Sequence, residues 1–157
     1  MISSPPDLRA MGQQMTGRLM AAPAQPLADP GYALRVLEIA GRRSGAPVDT
    51  PIGVLAHDGR RFLVSPDASR DWVANLRSAG TATLKASGLT EHIAITELRG
   101  RPAADVVVAY LAVVTVPWAV AAFRVPDGTS VEEVEAQHLD RMAVFEVLPA
   151  GSAGAPA

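Results

Sequence analysis

From Leu34 to Leu98 the chain is written in short apolar runs separated by turn residues, and that rhythm limits what it can become. Leu34 to Ala40 is short and rich in branched residues, which predicts a strand. Val48 to Ala56 is a second run, carrying Pro51 and Gly53, residues suited to an edge or bulge where a ligand can approach the backbone. His57-Asp58-Gly59-Arg60 holds an Asp-Gly hairpin signal, and Arg61 to Ser65 follows as the third strand. Thr81 to Ser87 alternates, with Ala82, Leu84 and Ala86 on one face and Thr81, Thr83 and Lys85 on the other. Gly88 turns it into Glu91 to Leu98, and Ala143 to Leu148 closes the set. Six strands joined largely by hairpins predict an α+β, mainly β fold: a small antiparallel barrel with helices around it.

The flanking helices read from spacing and caps. Leu8, Met11, Met15 and Leu19 recur at helical spacing within Ser3 to Ala22. That segment is either an amphipathic helix packed on the domain or a lid or membrane-surface element, since methionine makes an adaptable apolar face. Three prolines mark Ala22 to Gly31 as a connector. Ser69 is the expected N-cap of a helix running to about Ser78 and stopping near Gly80. Pro102 suits the first turn of the next helix. Val106 to Phe123 carries no charge, but Pro117 interrupts it and Asp105 and Arg124 bound it, which predicts a broken buried helix rather than a membrane span. Ser130 to Leu139 opens with a capping-box pattern. The expected organisation is an amphipathic helix and connector over residues 1–31, a barrel domain over 32–149, and a disordered tail over 150–157.

Bulk properties exclude several chemistries. With 157 residues and 48% hydrophobic content the chain can bury one core. A net charge of -2 argues against nucleic acid as the main partner. The absence of cysteine removes thiolate catalysis, disulfides and zinc-thiolate sites. Met1 to Ala22 has no continuous apolar centre of the kind a signal peptide needs. His57, His92 and His138 show no ligand-like spacing, so no metal is expected, and Glu132, Glu133 and Glu135 read as a solvated face.

Two segments remain that can carry chemistry. Gly41-Arg42-Arg43-Ser44-Gly45 is a basic, glycine-bracketed turn able to present backbone N–H groups, two guanidinium groups and a hydroxyl to an anion. It reads equally as a solvated hairpin tip. In Asp71-Trp72-Val73-Ala74-Asn75-Leu76, Trp72, Asn75 and Leu76 share one helical face. Trp72 alone reads as core, but an asparagine beside it needs buried partners, which a ring with carbonyl and N–H edges would supply. With no triad or carboxylate pair in sight, an enzyme built this way takes its reactivity from a cofactor.

The pattern Gly41-Arg42-Arg43-Ser44-Gly45-x-Pro47-x-x-x-Pro51, then Phe62-Leu63-Val64-Ser65-Pro66, then Trp72-Val73-x-Asn75, resembles the deazaflavin-dependent nitroreductase family. The resemblance covers roughly Leu34 to Leu98 and implies a split β-barrel that binds coenzyme F-420. By resemblance Arg42, Arg43 and Ser44 hold the cofactor's phosphate and tail, and Thr50, Pro51, Ile52 and Gly53 line the deazaflavin ring. Trp72 and Asn75 close over ring and phosphate, while Val64, Ser65 and Pro66 form the opposite wall. The sequence departs from the family where Val48 and Asp49 replace a basic residue and where Asp67 and Asp71 precede Trp72 in a shortened segment. Those positions lie in the cofactor-binding stretch and remove attraction for an acidic tail. Tyr110, Trp118 and Phe123 are candidates for an apolar substrate mouth, with ordinary core packing as the competing account.

The implied activity is hydride transfer from reduced coenzyme F-420 to a small apolar enone, quinone or nitro compound, with no catalytic side chain assigned. The alternatives are an FMN-binding barrel oxidoreductase and a non-catalytic cofactor-binding barrel. The expected partner is a small molecule, and a homodimer is admitted. The expected setting is the cytoplasm, with contact at a membrane surface left open.

Overall fold

The computed structural model describes residues 8–150. Six strands form one closed barrel: β1 (Gly31–Ala40), β2 (Pro47–His57), β3 (Arg60–Ser65), β4 (Thr81–Ala86), β5 (Leu89–Leu98) and β6 (Ala143–Pro149), in the order β1-β2-β3-β6-β5-β4. Every neighbouring pair is antiparallel. The predicted architecture holds. β1 starts three residues earlier than its apolar run suggests, because Gly31 to Ala33 pair with Ala56, Leu55 and Val54 of the long β2.

β2 pairs with β1 along ten residues but with β3 only at Leu55, Ala56 and His57. From Pro47 to Val54, then, β2 and β3 diverge, and the barrel wall is split there. Pro51 lies in this stretch, where a missing N–H interrupts no ladder to β3.

Side chains alternate between two cores. Leu37, Ile39, Ile52, Val54, Leu63, Leu84, Ile93 and Phe145 fill the barrel. The next residues along β2, β3 and β6 (Leu55, Phe62, Val64, Val144) point outward and are equally buried, because helices cover that face. These are α3 (Gly100–Val113) and the short α4 (Pro117–Ala121), which contribute Ala103, Ala104, Val106, Val107 and Tyr110, with Phe123 just beyond. The uncharged stretch from Val106 to Phe123 is thus a helix ended at Val113 and restarted with Pro117 in the first turn. Among the described residues no helix is long and apolar enough to cross a membrane.

α1 (Leu8–Ala21) lies against the barrel, and Ser87 donates its N–H to the carbonyl of Leu19. α2 (Asp71–Ala79) closes one barrel end with Trp72, Val73 and Leu76, and stops at Gly80 in the left-handed conformation. Its N-cap is Arg70, not Ser69. The Ser69 N–H and hydroxyl are held instead by Asp67 Oδ1, at 2.9 and 2.6 Å, one residue too early to cap. α5 begins at Val131–Glu133, capped by the Ser130 hydroxyl accepting from the Glu133 N–H, and continues as a π stretch Val134–His138 and a 3-10 turn Leu139–Arg141. The expected tail over 150–157 lies outside the described residues except for Ala150.

Candidate functional site

The split between β2 and β3 opens into a cavity of about 390 Å³. Pro51, Ile52 and Gly53 form one side, Val64 and Pro66 the other, and Trp72 the end wall. Tyr110, Trp118 and Phe123 line it from the helical layer, and Met11, Gly12 and Met15 of α1 lie along it. The N-terminal helix both packs on the barrel and lends Met11, Gly12 and Met15 to the cavity wall.

The aromatic groups are fixed by one another. Tyr32 and Tyr110 meet edge to face with centroids 5.7 Å apart, and Tyr110 meets Phe123 at 5.0 Å. Trp72 is 8% exposed and tilted against Phe145, whereas Trp118 is 78% exposed at the cavity rim. Gly53 has a reason the sequence did not reveal: a Cβ there would collide with the Tyr32 ring. Its missing side chain admits a tyrosine from β1, and that tyrosine is itself part of the wall.

Burial, and then the adjoining Tyr32 hydroxyl, push the Tyr110 hydroxyl above the ordinary phenol range. It stays a protonated donor at any physiological pH. No acidic side chain lines the cavity among the described residues, and none form a metal-holding cluster of His, Cys, Asp or Glu.

The basic turn is tightly wound. Gly41 donates to the Ala46 carbonyl and Gly45 to that of Gly41, both at 2.8 Å, and Ala46 donates to Ser44 Oγ at 3.1 Å. Gly45 holds a positive φ of 75°, which explains the glycine. The N–H groups of Gly41, Gly45 and Ala46 are thus used within the turn, so an anion here would meet guanidinium and hydroxyl groups with at most part of an amide cup.

Arg42 docks on α2. Asn75 Oδ1 accepts its backbone N–H at 3.1 Å and its Nη1 at 2.8 Å, while Nη2 reaches Asp71 Oδ1 at 3.3 Å. Asn75, 5% exposed, therefore finds its partner inside the protein. The expectation that a ligand ring satisfies that oxygen is corrected: the acceptor is occupied by Arg42. The same contact ties the basic turn to the helix that carries Trp72.

The cavity gathers Pro51, Ile52, Gly53, Val64, Pro66, Trp72, Tyr110, Trp118 and Phe123 of the residues singled out by sequence. Arg42, Arg43, Ser44, Val48, Thr50, Ser65, Asp67, Asp71 and Asn75 do not line it. Arg43, Ser44 and Val48 are exposed, Thr50 is half-buried, and Ser65 is buried with its hydroxyl on the Asp67 carbonyl at 2.7 Å. The Ser69 hydroxyl and N–H hold the Asp67 carboxyl below its usual range, and Asp49 joins Glu38 around Lys85. These carboxylates are engaged in the structure rather than free to repel an acidic tail at full strength. Sequence reasoning missed Tyr32, Leu34 and Arg70. The shortness of the 66–71 segment was the available signal for Arg70.

A split six-strand barrel with a largely apolar cavity, an indole in its wall and a basic turn tied to the same helix fits a planar, anion-tailed redox coenzyme. A slot that is apolar and free of carboxylates suits the ring, and two arginines on one turn suit the phosphate. The family model described as F420H2-dependent quinone reductase matches residues 13–116, and the chain belongs to that family. It is an oxidoreductase, and its coenzyme is F-420. Solved structures with a similar chain path include one described as an F420-H2 dependent reductase, 16% identical, covering 78% of this chain and 98% of that one, with a TM-score of 0.43. A conserved hypothetical protein from Mycobacterium tuberculosis is 13% identical, covers 79% and 81%, and scores 0.43. An F420 reductase is 13% identical, covers 78% and 89%, and scores 0.40. No curated protein matches.

Proposed function

We propose that the slot between β2 and β3 holds the deazaflavin ring, and that its helical end holds the hydride acceptor. The reading is carried by one observation: Trp72 closes the slot, and one turn further along the same helix Asn75 grips Arg42. Ring site and anion site are thereby mounted on a single rigid element. Pro51, Ile52 and Gly53 offer backbone to one face of the ring, and Val64 and Pro66 bound the other. Arg43 and Ser44, with Arg42 behind them, take the phosphate and tail. The bound coenzyme supplies the hydride. The chain's own residues orient the two partners and exclude water from between them.

The acceptor is a small, largely apolar electrophile such as a quinone or enone, lodged among Tyr110, Trp118 and Phe123. Residues 32–149 act as one coenzyme-binding unit with α1 as its cover, in a cytoplasmic setting and without nucleic acid. A homodimer is compatible with this arrangement.

Tryptophan emission tests the proposal. Trp72 and Trp118 stand at opposite ends of the exposure range and both line the slot. Titration with coenzyme F-420 should quench emission saturably in the wild type, and in Trp118→Phe, where only Trp72 reports. A wild type whose emission is unmoved by the coenzyme would sink the reading.

A further inference from the structure

Arg70 is the one charged side chain among the described residues that line the slot. Several cations elsewhere are matched: Arg60 with Glu146, Arg61 with Glu91, Arg77 with Glu97, Arg101 with Glu132 and Glu135, Lys85 with Glu38 and Asp49. No described residue forms an ion pair or side-chain hydrogen bond with Arg70. Asp67 stands within its electrostatic reach, yet that carboxylate is taken by Ser69. Arg70 and Tyr110 line the same cavity, within electrostatic reach of each other, and Tyr110 leans against Tyr32. Arg70 is exposed and Tyr110 buried, and the rest of the cavity wall is largely apolar. Once an acceptor displaces water from between them, such groups stabilise developing negative charge.

We propose that Arg70 and the Tyr110 hydroxyl form the oxyanion site of this reductase, receiving the carbonyl oxygen of a conjugated acceptor. The inference rests on the acceptor lying at the helical end of the slot. Hydride addition forms a C–H bond at the acceptor's conjugated carbon, and the displaced π pair settles on the carbonyl oxygen. That oxygen then takes a proton from solvent. The acceptor gains two electrons, and the reduced deazaflavin of the established reaction is the source that loses them. Arg70 and Tyr110 hold the oxygen while it is charged. Substrates are therefore quinones and enones whose oxygen becomes a phenolate or enolate.

A stable phenolate imitates that charged oxygen and needs no coenzyme. 4-Nitrophenol, followed by its visible phenolate band, should ionise about one pH unit lower when bound to the wild type than when free. Arg70→Met should still bind the phenol but lose most of that displacement. Arg70→Lys should keep part of it, and Tyr110→Phe should weaken it. With coenzyme and a quinone, Arg70→Met should lower kcat/KM by about 100-fold, while coenzyme affinity read by tryptophan emission stays as in the wild type. A wild type that does not displace the ionisation, or an Arg70→Met protein that displaces it fully, overturns the proposal. So does an Arg70→Met protein that has lost coenzyme binding, since Arg70 would then serve the coenzyme. Failure of the coenzyme titration alongside an intact phenolate response would instead strike the slot assignment.

Discussion

At the scale of single residues, Asn75 has the most to answer for. Its oxygen holds both the backbone N–H and the guanidinium of Arg42, and almost none of it meets water. In Asn75→Ala both donors lose their acceptor, at a cost of about 1–3 kcal/mol. We expect a lowered melting temperature and coenzyme binding weakened by about tenfold, roughly 1.4 kcal/mol, measured by calorimetric titration. A variant that melts lower yet binds coenzyme as before would show that Arg42 is structural and not part of the phosphate site. Asn75 was visible in the sequence as an oddity, a helix-poor amide on an apolar face. Its partner was not, because Arg42 lies 33 positions away and only the closing of the barrel brings them together.

At the scale of elements, α1 differs from the other helices in what it buries. None of its described residues belongs to either core cluster, yet Met11, Gly12 and Met15 line the slot. Removing residues 1–21 should leave the strand signature in circular dichroism intact, with a cooperative melt. The shortened protein should bind an apolar quinone more weakly, seen as a raised KM, because one wall of the slot is gone and water enters. Loss of cooperative melting in that protein would make α1 part of the barrel's stability instead. The methionine spacing made this helix legible, but two functions remained open from sequence. The barrel sets two of those methionines, Met11 and Met15, along the cavity at the gap between β2 and β3.

At the scale of the whole molecule, many charges among the described residues are paired, and one pair sits at the inward face of the barrel. Arg61 donates to both oxygens of Glu91 at 2.7 Å, and Arg35, 7% exposed, stands within electrostatic reach while bonding the Gln25 and Leu34 carbonyls. By alternation these three share the inward face of Leu37, Leu63 and Ile93. Arg61 holds the Glu91 carboxyl below its usual range. A depressed folded value means the stabilisation is complete above the unfolded carboxyl range near pH 4.3 and disappears as pH falls through the lower folded value. Glu91→Gln should therefore be less stable at neutral pH by about 1 kcal/mol, a modest figure because the pair is partly exposed. The deficit should shrink as denaturation is repeated at decreasing acidic pH. A gap that stays constant down to pH 3 would contradict the linkage.

The six strands, their hairpins and the two-faced alternation were set by local chemistry: apolar period, an Asp-Gly turn, glycines where φ is positive, and prolines where a helix starts. Those forces act within a few residues, so the chain order alone exposes them, and the family motif sits in that same local stretch. What the sequence could not settle is which side chains end up facing one another. Arg42 on Asn75, Tyr32 across Gly53 and Arg70 on the same cavity as Tyr110 are separated along the chain, and they are brought together only because barrel closure fixes the register of β1 on β2 and leaves β3 splayed from it.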